Sequence, residues 1–83
     1  MPGEHARVRI AHADMWDSMQ TWVQQQATES SLRTLQEFEH TCGLEFTRSM
    51  WRESVYVYRV HDAHRLMLSI ARYGWRVTPV NTT

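Results

Sequence analysis

The sequence predicts a small α+β domain in which an antiparallel sheet of three to four strands carries its helices on one face. Segments that alternate with period two are interleaved with segments whose apolar residues recur at helical spacing. A seventeen-residue run rich in aromatic and β-branched types, residues 44–60, is broken only near its middle, as a hairpin is. At 83 residues the chain can build one core and has no room for a second domain, so residues 1–83 are expected to form a single unit.

The first strand is expected in "HARVRIAH", where Ala6, Val8 and Ile10 alternate with Arg7 and Arg9. From residue 14 the period changes. Met15 or Trp16, Met19, Trp22 and Val23 recur at helical spacing, Asp14 is placed to cap the first turn, and about three turns of helix follow. Thr28, Ser30 and Ser31 are candidate caps for a second helix starting near residue 30, with Leu32, Leu35, Phe38 and Cys42 as its apolar stripe. Gly43 suits the left-handed position that ends such a helix.

In the hairpin, "WRES" is the expected turn. Leu44, Phe46, Arg48 and Met50 share a face of the first arm, and in the second arm Tyr56, Tyr58 and Val60 lie opposite to Val55, Val57 and Arg59. No Asn-Gly or Gly-Gly fixes the register. "DAHRLMLSIARYG" then gives a helix with Ala63, Leu66, Met67, Ile70 and Ala71 on one stripe, ending at Gly74. "WRVTPV" closes the chain as a strand that Pro79 confines to an edge. The order is β-α-α-β-β-α-β. It becomes a ferredoxin-like β-α-β-β-α-β variant when the first two helices count as one broken element.

Nine acidic and nine basic residues cancel, which removes the simplest case for nucleic-acid binding. The halves differ, however. Residues 1–46 hold seven acids and three arginines (net −4), and residues 47–83 hold two acids and six arginines (net +4). Every basic residue is arginine, and four tryptophans, three tyrosines and five methionines accompany them, the types enriched where one macromolecule grips another. Trp16 and Trp22, six positions apart, stand about 240° apart around a helix, so one of them is expected at an interface. A single cysteine excludes an internal disulfide, the N-terminus has no apolar signal region, and the apolar runs are too short to span a bilayer. A soluble protein of a reducing cytoplasm, with no membrane partner, is the expectation.

The densest titratable cluster is "HDAHR", residues 61–65. Asp62 precedes the apolar stripe and serves as an N-cap, which leaves His61 before the cap and His64 inside the helix, with no common centre implied. A zinc site would need two further ligands, and only His40 and Cys42 lie near in sequence, so no metal or other cofactor is assigned. Cys42 on an apolar stripe predicts a buried, inert thiol rather than a nucleophile paired with His40 or His64. Phosphate-cradling glycine patterns and paired carboxylates are absent, so no catalytic residue is assigned and the chain is expected not to be an enzyme.

Two binding modes follow. An open sheet face bearing Arg7, Arg9, Tyr56, Tyr58 and Arg76 would combine stacking rings with phosphate contacts, as RNA-binding sheets do, although the glycine and aromatic signature of an RNA-recognition strand is missing. Alternatively the exposed pair Trp51 and Arg52 at the hairpin tip would anchor a partner protein. In its size and in the succession "VYVYRV", "DAHRLMLSIARYG", "WRVTPV", residues 55–80, the chain resembles the small single-domain inhibitors that phages and mobile elements encode, such as anti-CRISPR proteins and inhibitors of host RNA polymerase. The resemblance carries over no functional residue. It implies action in the cytoplasm of a host cell, by occluding a surface of a protein or ribonucleoprotein complex rather than by imitating an acidic nucleic acid. The expected function is therefore non-catalytic binding as an inhibitor or adaptor, with Arg48, Trp51, Arg52, Tyr56, Tyr58 and Arg59 as the contact set. An RNA-binding sheet module is the alternative, and a second copy of the chain is a further candidate partner.

Overall fold

The computed structural model describes residues 6–26 and 32–80. The elements are β1 (Arg7–Ala11), α1 (His12–Gln26), α2 (Leu32–Thr41), β2 (Leu44–Met50), a 3-10 turn over Trp51–Glu53, β3 (Val55–Val60), α3 (Ala63–Tyr73) and β4 (Val77–Pro79). The four strands form one antiparallel sheet in the order β2-β3-β1-β4. β1 and β2 thus flank β3, and β3 and β4 flank β1, which is consistent with the split βαβ layout expected from the sequence. The candidate caps Thr28, Ser30 and Ser31 lie outside the described residues.

Packing follows the alternation of β1. Val8 and Ile10 are buried with Met15 and Met19 of α1, Leu35 and Phe38 of α2, Leu66 of α3 and Trp75, so the helices share one face of the sheet. β1 runs straight into α1 at His12, and Asp14 sits within the first turn rather than at the cap. Its carboxylate still meets the positive end of the helix dipole there. Neither Trp16 nor Trp22 sits at the centre of the core stripe, in keeping with their separation around the helix: both are half-buried against its flanks. Trp16 donates its indole N–H to Tyr56 at 2.7 Å, and Trp22 leans on Phe38. In α3 the apolar stripe is narrower than its sequence suggested, with Leu66, Ile70 and Tyr73 packed inward and Met67 68% exposed.

Two junctions fasten the ends of the sheet. Gly43, at φ 81°, lies where a side chain could not fit, since an added Cβ would stand 2.2 Å from the Asp62 carbonyl. Its own carbonyl accepts from the backbone N–H of both His61 and Asp62, which ties the α2-β2 corner to the β3-α3 corner. At the other end the Ser54 carbonyl accepts from the His12 N–H, holding the hairpin turn to the β1-α1 corner. Among the described residues no helix is long and apolar enough to cross a membrane.

A candidate nucleic-acid interface

Register decides which side chains reach the face that carries no helix. Residues directly opposite in an antiparallel pair share a face. Val8 faces Tyr58 and Ile10 faces Tyr56, so both tyrosines point into the helix-covered core, and Tyr58 is wholly buried. The expectation that Tyr56 and Tyr58 stack ligands on an open sheet is corrected by this pairing. Arg59, on the same side of β3 as Val55 and Val57, turns outward with them.

The same register gathers arginines. Arg7 lies opposite Arg59, and Val57 lies between Arg9 and Arg48 in one row across three strands. Arg48 reaches this face through a bulge. Phe46 pairs with Tyr58 and Arg48 with Val57, so two steps along β2 match one along β3, and Thr47 is the extra residue. Thr47 fixes the irregularity by donating its hydroxyl to the Val57 carbonyl at 2.7 Å. Arg48 and Met50 therefore do not share the face of Leu44 and Phe46, as uninterrupted alternation predicted; they join Val57 and Val55 outside. On the far side Val77 faces Ile10, so Arg76 and Thr78 also point outward.

Among the described residues the outcome is one uncovered face bearing Arg7, Arg9, Arg48, Arg59 and Arg76, with the carboxylate of Glu45 paired to Arg59. Val57 is only 2% exposed although it lies on this face. The Nε atoms of Arg9 and Arg59 are likewise shielded from solvent, and among the described residues neither has a hydrogen-bond partner. The arginine stems thus lie along the sheet, with their guanidinium ends carrying the charge.

At the end of the sheet where β1 enters α1, an open cleft of about 550 Å³ continues this face. Arg9, Arg76 and Thr78 line it together with Asp14, Glu53, Ala11 and Val55. Neither carboxylate forms an ion pair with either arginine among the described residues. Asp14 and Glu53 carried no functional signal in the sequence, since only the β1-α1 corner and the hairpin turn bring them together.

The remaining expected residues divide. Trp51 is 75% exposed at the hairpin tip, edge-on to the His12 ring at 5.1 Å, with Arg52 exposed beside it. The histidines do not gather with Cys42. His40 and His61 stack at 4.6 Å, and among the described residues no three of His, Cys, Asp or Glu are grouped to hold a metal. Cys42 is buried as expected, and burial, partly offset by Ser69 and Arg72 and reinforced by Glu39, pushes its thiol up to about 11. Comparison of the chain with protein families, curated proteins and solved structures gives no match.

Proposed function

We propose that the chain is a non-catalytic binding module that lays its open sheet face on the sugar-phosphate backbone of a nucleic acid and occludes it, bare or within a ribonucleoprotein complex. The observation that carries the proposal is the segregation of charge. Five arginines against Glu45 give the strands of the open face +4, and Asp14 and Glu53 of its cleft bring the whole surface to +2; since the chain is neutral, the remaining residues hold −2. A guanidinium fork matches phosphate geometry bidentately, which suits arginine to this task.

Folding alone does not favour the arrangement. Arg7 and Arg59 stand directly opposite each other, a like-charge pair that weakens a sheet, and Glu45 relieves only one of them. Local conflicts of this kind concentrate at functional surfaces. With Tyr56 and Tyr58 in the core, the face itself has no aromatic platform, so its contacts are to phosphate and sugar. Trp51 at the tip, more exposed than Phe46 on the helix side of β2, supplies a ring for stacking.

Fluorescence anisotropy of labelled single-stranded RNA and DNA oligonucleotides across a salt series tests the proposal. Four to five phosphate contacts give a slope of log K against log salt of about −3, and Arg7→Thr with Arg9→Thr reduces its magnitude by about 1.4. A binding constant indifferent to salt, or unmoved by the double substitution, overturns it. Stoichiometric capture of an acidic protein in the absence of nucleic acid would instead support a protein-directed inhibitor.

A further inference from the structure

Resting on the proposed function, we infer that the cleft at the α1 end of the sheet is a subsite for one unpaired guanine of the bound strand. The cleft combines two chemistries that a phosphate-tracking surface does not need together. Asp14 and Glu53 supply carboxylates, which only accept hydrogen bonds, and Arg9 and Arg76 supply guanidiniums, which only donate. Their coexistence without mutual ion pairs, among the described residues, leaves both sets free for a ligand.

Guanine is the standard base that matches this set. Its O6 and N7 form an acceptor pair for an arginine fork. Its N1–H and N2–H₂ form a donor pair that one carboxylate can accept bidentately. Adenine and cytosine each present a single amino group beside an acceptor on the pairing edge, so a carboxylate there meets one donor and one repelling lone pair. Uracil presents one imide N–H between two carbonyls and fares no better.

Position agrees with chemistry. Arg9 belongs both to the cleft and to the arginine row with Val57 and Arg48, so a strand lying on the face brings a base to the cleft without leaving the phosphate contacts. Ala11 and Val55 lie side by side in register and give the cleft an apolar floor for a ring. Its volume of about 550 Å³ falls in the range of sites that enclose a small planar ligand. Base-edge contacts of this kind read sequence in unpaired segments, whereas phosphate contacts only position the strand.

The test uses eight-nucleotide oligouridylates carrying one central guanosine, inosine, adenosine or cytidine, with affinities measured by anisotropy at fixed salt. Guanosine is expected to bind about tenfold more tightly than adenosine or cytidine, the size of one good bidentate pair. Inosine, which keeps N1–H, O6 and N7 but lacks the N2 amino group, should fall between. Asp14→Asn with Glu53→Gln removes the guanosine preference while the salt slope on plain oligouridylate stays as in the unaltered chain. Equal affinities for all four with the salt slope intact overturn the subsite and leave the proposed function standing. Failure of every oligonucleotide to bind overturns both.

Discussion

Glu39 is a carboxylate almost fully removed from water, 4% exposed, with the Tyr58 hydroxyl donating to its Oε2 at 2.5 Å. Burial raises its pKa and the Tyr58 hydrogen bond pulls it partly back, while Tyr58 is itself pushed up by burial and by the facing carboxylate. The native state therefore holds the Glu39 proton more firmly than the unfolded chain does. Its contribution is fully present below the unfolded value and is lost as the pH rises through the higher folded value. Glu39→Gln keeps a carbonyl to accept from Tyr58 and removes the charge. The variant should gain stability relative to the unaltered chain as the pH is raised from about 4 to 8, by about 1.4 kcal/mol for every tenfold tightening of the native state's hold on that proton. Urea midpoints across that range measure it, and a variant that loses ground with rising pH would contradict the assignment.

Among the elements, α3 was the most legible. Asp62 accepts from the Arg65 N–H at 3.1 Å, and Gly74 adopts the left-handed conformation, φ 73°, with its N–H donating to the Ile70 carbonyl. Both ends were readable because caps are local chemistry. Asp62→Ala should accordingly cost about 1 kcal/mol in a denaturant titration, against about half of that or less for an exposed change in the last turn such as Ala71→Ser. The hairpin was legible in extent and not in phase. Val55 and Val57 are as apolar as Tyr56 and Tyr58, so alternation within β3 could not say which pair is inside, and pairing with Val8 and Ile10 decided it. Nothing in "LEFTRSM" marks Thr47 as the extra residue, since a bulge is fixed by the partner strand. The arginine face was half visible for the same reason. Arg7, Arg9 and Arg76 followed from strand parity, whereas Arg48 needed the bulge and the pairing of Asp14 with Glu53 needed the tertiary corner.

Taken whole, the molecule is neutral yet strongly polarised, with pI near 7.0 and its positive excess on one side of the sheet. Such a field orients an approaching polyanion at low ionic strength and fades once the screening length falls to about 8 Å at physiological salt. It also makes one copy's basic face complementary to another copy's acidic remainder. Sedimentation at neutral pH should show head-to-tail association in dilute buffer that dissolves at about 0.15 M salt, where surface charges are screened. A monomer under both conditions would show that the acidic residues are too dispersed to act as a partner.

Thr47 gives this design a second margin. One rim of the sheet is β2, a seven-residue strand whose outer side presents unpaired backbone groups, and a straight rim invites another chain to zip onto it. The kink spoils that template. Removing Thr47 would leave Arg48 still across from Val57, so the proposed arginine row would survive while the safeguard against sticky, endless stacking would be gone. Resistance to edge pairing and the proposed recognition would thus be separable by one residue.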